Sequence, residues 1–167
     1  MLRPPVKSVK LGVLCCLAIA ASFLLAATPP SVETRQDAGY DPSRDPAQDL
    51  RSAIADAQEN GKRIILVVGG EWCVWCHILE RFLSENKDIQ SLWSENYVTV
   101  KVNVSPENAN EEFLSRYPKV EAYPYFFVLE KDGSLLHSQR TAGLEAGNTY
   151  SKQKMGGFLK EWAPSRE

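Results

Sequence analysis

The chain has 167 residues, 44% of them hydrophobic and 24% charged, with a formal net charge of −2. That is too apolar for a disordered chain and long enough for one domain with a real core. Lys plus Arg (19) is outnumbered by Asp plus Glu (21), so no basic surface for nucleic acid is indicated and no such partner is expected.

The chain opens like an address. Met1 to Lys10 carries Arg3, Lys7 and Lys10 and no acid, and Leu11 to Ala27 then runs 17 residues without a charge. A basic stretch followed by an apolar one is the layout of an export signal. The run exceeds the roughly 7–15 apolar residues of a cleaved signal and falls short of the about 20 of a spanning helix. Residues 1–27 therefore read as a signal peptide or as a membrane anchor through 11–27, and both readings stay open. Leu14 stands before Cys15 where lipidation wants a small residue, which argues against a lipoprotein. With the positive end held inside, the rest of the chain lies outside the cytoplasm. That means the periplasm or the outer face of the cytoplasmic membrane, or secretion if the chain is cleaved and released.

Residues 28–48 hold Pro29, Pro30, Pro42 and Pro46 among polar residues and read as an extended tether. Residues 49–167 form the expected domain. Asp45-Pro46 offers a helix start, Leu50, Ala53, Ile54 and Ala57 keep helical spacing, and Gly61 closes the helix. Ile64 to Val68 is a continuous apolar run, as in a strand buried on both faces. A helix from Cys73 to about Ser84 follows, continued after a break by Asp88 to Trp93. Tyr97 to Val104 reads as a strand, and Ser105-Pro106 opens a helix through about Arg116. Tyr125–Leu129 and Ser134–Ser138 are strands joined across Lys131-Asp132-Gly133. A last helix covers roughly Tyr150 to Trp162. Crossovers followed by one hairpin make the fold class α/β, a mixed β-sheet flanked by helices.

The chemistry sits at Cys73-Val74-Trp75-Cys76. Of the four cysteines, Cys15 and Cys16 lie in the apolar run, and a pair three residues apart cannot staple a domain, so the pattern is no disulfide scaffold. The spacing at a helix start brings both sulfurs to one face, near enough to bond. Cys73 falls among unpaired N–H groups at the positive end of the helix dipole, which favours the thiolate that attacks disulfides. Cys76, one turn further in, is more covered and suited to resolve a mixed disulfide. The pair thus reads as an exposed attacker and a protected resolver. Val74-Trp75 holds no cation and Glu71 opposes the dipole, so a reductase-like potential is expected.

A buried strand, Glu71-Trp72-Cys73-x-x-Cys76, a helix, and Tyr123-Pro124 ahead of a strand hairpin resemble the thioredoxin superfamily. Within it the chain is similar to envelope-facing bacterial thioredoxin-like domains, such as the C-terminal domain of the transmembrane disulfide reductant carrier. The resemblance covers about Leu50 to Trp162. It implies a thioredoxin-like fold and a thiol–disulfide oxidoreductase that reduces protein disulfides with electrons from an upstream donor. Cys73 would be the nucleophile and Cys76 the resolving thiol. Trp72, Tyr123 and the cis-proline Pro124 would form the substrate surface, with Glu71 and His77 tuning the site. The redox disulfide itself would serve, with no other cofactor and no metal. Three departures stand out. Val67 occupies the place where the family often has a buried acid, Tyr123 stands where a smaller residue is common, and no strand precedes the first helix. No dimerisation segment is evident, so a monomer is expected.

Three rival readings use the same residues. Cys73-Val74-Trp75-Cys76-His77 fits the c-type haem attachment pattern, with Met155 or His137 as a distal ligand. The two thiols with His77 and His137 could make a zinc quartet, although no second ligand pair supports it. A tethered binding or chaperone-like module would keep the fold and drop the turnover.

Overall fold

A computed structural model describes residues 1–2 and 39–165. Residues 3–27 of the expected address and 28–38 of the expected tether lie outside these. From Gly39 on, the chain already belongs to the folded unit. Tyr40 is buried, Arg44 pairs with Asp49, and helix α1 (Pro46–Asn60) begins ahead of the expected boundary at 48/49, which therefore falls inside a helix. Asp45 caps α1 by accepting from the Ala47 N–H at 2.8 Å, Pro46 takes the first turn, and Gly61 ends it at φ 64°.

Strand β1 (Arg63–Gly69) leads through a short loop to α2 (Val74–Glu85), and α3 (Lys87–Asn96) feeds β2 (Tyr97–Asn103). A single turn, α4 (Glu111–Leu114), follows, then β3 (Tyr125–Leu129) and β4 (Leu135–Arg140). The sheet order is β2-β1-β3-β4, with β1 parallel to β2 and both other pairs antiparallel. A 3-10 turn (Thr141–Leu144), a two-residue hairpin of β5 (Glu145–Ala146) and β6 (Thr149–Tyr150), and α5 (Lys152–Glu161) complete the chain.

The alternation along β1 explains the layers, since successive side chains of a strand point to opposite faces. Ile65 and Val67 join one core with Phe126 and Val128, covered by residues of α2, α3 and α5 such as Leu79, Trp93 and Met155. Ile64, Leu66 and Val68 join the other with Phe127 and Leu129, covered by Ala53 and Ala57 of α1 and by Phe113. The mixed sheet flanked by helices is the expected fold class, and the apolar run of β1 is buried on both faces.

Two expectations fail locally. The helix expected from 105 to 116 shrinks to α4. Asn side chains hold the stretch before it as a loop: Asn103 donates to the Asn108 carbonyl, Asn110 donates to the Asn103 carbonyl, and Asn108 accepts from the Asn110 N–H. Such local side-chain bonds compete with helix formation, and Asn110 takes a left-handed φ of 50°. The last helix starts at Lys152 with Ser151 as its cap, because Tyr150 is spent on the small hairpin.

Candidate active site

Cys73 is the N-cap of α2, one position ahead of its expected place in the first helical turn. The loop between β1 and α2 is pinned by the Cys73 N–H donating to the Gly70 carbonyl at 3.0 Å. The Cys73 sulfur accepts from the Cys76 N–H at 3.2 Å and is bonded to Cys76, with the two Cα atoms 5.2 Å apart. One expectation needs correction: Cys73 is 4% exposed and Cys76 0%, so the outer cysteine of the disulfide is not an exposed group. Its side chain turns back over the helix start toward Cys76 instead of projecting outward. Cys76 remains the more deeply covered of the two.

What is exposed lies beside the pair. Trp72 is 55% exposed and Val74 70%. Trp72 is held by its indole N–H donating to the Val104 carbonyl at 2.6 Å and by an edge-on contact with Tyr123, ring centroids 5.3 Å apart. Tyr123, half-buried, packs against the core that contains both cysteines, and the Tyr123–Pro124 peptide is cis. Pro124 is buried, and its carbonyl accepts from the Thr141 hydroxyl at 2.8 Å. On the other flank Trp75 meets Tyr150 edge-on at 5.7 Å.

A domain built as βαβ plus hairpin, with a bonded C-x-x-C pair at a helix start and a cis-proline ahead of β3, is open to comparison with known proteins. Residues 50–152 match the family model described as a thioredoxin-like domain. The chain belongs to this family. Among curated relatives, the thiol:disulfide interchange protein DsbD of Pseudomonas fluorescens is 31% identical over 132 residues, covering 74% of this chain and 20% of that protein. DsbD 2 of Pseudomonas aeruginosa is 26% identical over 120 residues, covering 71% and 19%. The chain thus spans about a fifth of the length of these relatives. A crystal structure of a disulphide isomerase from Xylella fastidiosa superposes with a TM-score of 0.63 at 24% identity, covering 73% of this chain and 94% of that one, and so shares the fold.

Within this thioredoxin-like domain the expected tuning residues meet each other. The His77 Nε2–H donates to the Glu71 carbonyl at 2.7 Å, and the His77 Nδ1 lies 3.8 Å from Glu80. Glu80 also pairs with Lys101 at 2.6 Å. The Glu71 carboxylate accepts from the Tyr40 N–H at 2.6 Å. Of the rival ligands, Met155 is 0% exposed in the hydrophobic core, and His137 stacks on Trp162 with centroids 4.3 Å apart. Haem attachment needs both sulfurs for thioethers and the His77 Nε2 for iron. Here the sulfurs bond each other and the His77 Nε2 donates to a carbonyl. Among the described residues, no group of three or more His, Cys, Asp or Glu is placed to hold a metal ion.

Four neighbours went unrecognised in the sequence. Val74 extends the exposed apolar surface, Thr141 fixes the Pro124 carbonyl, Tyr150 packs on Trp75, and Tyr40 lies behind the pair. A lone aromatic in a proline-rich polar stretch was the one available signal for Tyr40.

Proposed function

We propose that this domain exchanges disulfides with client proteins through Cys73 and Cys76, and that it runs in the reducing direction. The observation that carries the reading is the bonded pair at the N-terminus of α2, with an exposed apolar surface next to it. A helix N-terminus stabilises a nearby anion by about 0.3–1 kcal/mol, up to about 2, and so favours the Cys73 thiolate once the pair is reduced. That thiolate attacks a client disulfide, forms a mixed disulfide and releases one client thiolate. The Cys76 thiolate then attacks the Cys73 sulfur, restores the internal disulfide and releases the second client thiol. Two electrons reach the client, and an upstream dithiol returns them to the domain. The internal disulfide serves as the redox group, with no further cofactor.

Clients dock on Trp72, Val74 and Tyr123, next to the buried Pro124, where an extended segment can pair its backbone beside the proline. Glu71 and His77 shape the loop that presents Cys73. The similarity to DsbD supports an envelope-facing place for the domain, held or released by residues 1–27, and it acts as a monomer. Among the described residues no helix is long and apolar enough to cross a membrane.

The direction follows from the weak support for the thiolate, since Val74-Trp75 brings no cation. Equilibration against glutathione buffers measures it. A potential nearer the thioredoxin value of about −270 mV is expected. A value above about −150 mV, or a pair that does not equilibrate reversibly, overturns the reading.

A further inference from the structure

The inner sulfur lies in apolar surroundings. Cys76 is fully buried in a core with Val67, Leu79 and Phe82, and its own N–H is turned to the Cys73 sulfur. A buried thiol resists ionisation unless a donor faces the charged form, yet Cys76 must become a thiolate to resolve a mixed disulfide. Gly69 shows what stands beside it. A Cβ built on Gly69 would lie 2.5 Å from the Cys76 sulfur and 2.9 Å from the Tyr40 hydroxyl oxygen. Sulfur and phenol thus crowd the same point, and the missing side chain at the end of β1 makes room for both.

Tyr40 is fixed there. It is 3% exposed and shares the core of both cysteines. Its N–H donates to Glu71, its ring lies 5.4 Å from the Lys101 ammonium, and the Pro42 carbonyl two residues on accepts from the Asn108 amide at 2.9 Å. Burial, with Glu80, Tyr150 and Glu71 nearby, pushes the phenol well above its usual range. The hydroxyl therefore keeps its hydrogen and can donate it.

We propose that Tyr40 is a positioning residue for the second half of the exchange, its O–H donating to the Cys76 sulfur as the thiolate forms. The proposal rests on the disulfide-exchange reading above. No net proton passes through Tyr40: the Cys76 proton leaves to solvent, and the hydroxyl stabilises the sulfur left behind. The charged and titratable groups around this position are Glu71, His77, Glu80, Lys101 and Tyr150, and all are retained in the test.

Reduced full-length protein carrying Cys15→Ser and Cys16→Ser, which leaves Cys73 and Cys76 as its thiols, is mixed with the aromatic disulfide DTNB, and release of the yellow thiolate is followed. Cys73 releases the first equivalent and Cys76 the second. In Tyr40→Phe the first release stays within about twofold, while the second slows about tenfold, as loss of a hydrogen bond to a charged group predicts. Its pH midpoint moves up by about one unit. Incorporation of 3-fluorotyrosine at position 40, a stronger donor of the same shape, moves the midpoint down and keeps the test open if the Phe variant does not fold. A second release with an unshifted midpoint in both variants, whatever its rate, overturns the role of Tyr40. Absence of a second release in the same protein with Tyr40 intact overturns the exchange reading, and this inference with it.

Discussion

Gly69 shows how closely the site is packed at the scale of single residues. Its φ lies outside the left-handed region, so space and not backbone conformation requires glycine there. Ala would place a methyl 2.5 Å from the Cys76 sulfur and 2.9 Å from two atoms of the Tyr40 ring system. Overpacking of this kind costs about 1–3 kcal/mol, and Gly69→Ala should lower the urea midpoint of the oxidised protein accordingly. A midpoint equal to that of the unmodified chain would show that Tyr40 yields without cost. Cys73 and Cys76 were legible in the sequence because their relation is local, three residues at a strand-to-helix junction. Tyr123-Pro124 was legible only by resemblance. Tyr40 and Thr141 were not legible, because each gains its role from a contact across the fold: Tyr40 with the end of β1, and Thr141 with a carbonyl 17 positions away. The exposure expected of Cys73 failed for a related reason. Its covering depends on which way an N-cap side chain turns, and spacing is silent on that.

At the scale of elements, legibility follows how much of the signal is apolar and regular. β1 and β3 are short, continuous apolar runs, and both were found close to their true limits. In α2, Cys76, Leu79 and Phe82 keep helical spacing and form its buried face. The helix expected after Ser105-Pro106 had a start signal but little apolar spacing behind it. Side-chain amides of Asn103, Asn108 and Asn110 then closed a loop in its place. The β5–β6 hairpin has two residues per strand, too few for any periodicity to register. It still matters to the site, since Tyr150 carries the ring that meets Trp75 and Phe82. Residues 39–48 of the expected tether belong to the domain instead, since proline content indicates extension and says nothing of docking. One buried tyrosine, an Arg44–Asp49 pair and the Asn108–Pro42 bond attach those residues to the domain.

For the whole molecule, two sheet faces and their helices hold several phenols in dry surroundings. Burial raises the pKa of Tyr40, Tyr97 and Tyr117 above the usual 10.0, and that of Tyr150 is pushed up to about 12. A phenol that ionises less readily when folded contributes stability that is fully present below its unfolded value. That contribution is lost as pH rises toward the folded value. Stability should therefore be level from about pH 7 to 9 and fall above about pH 10. Urea midpoints across that range check this, and a midpoint unchanged at about pH 11 would contradict it.

The same architecture positions the pair on which the functional account stands. β1 brings the loop to the end of the sheet, α2 sets Cys73 at its N-terminus, and the turn ahead of β3 supplies Tyr123 and Pro124 alongside. The most direct test is reduction of insulin disulfides by the intact protein with a dithiol as electron source, followed by turbidity. The account predicts catalysis above the dithiol background that falls to background in Cys73→Ala, with the folded state of the variant verified by its melting transition. Equal rates for the unmodified protein and Cys73→Ala would contradict it, and would make the domain a tethered binding module whose disulfide is passive.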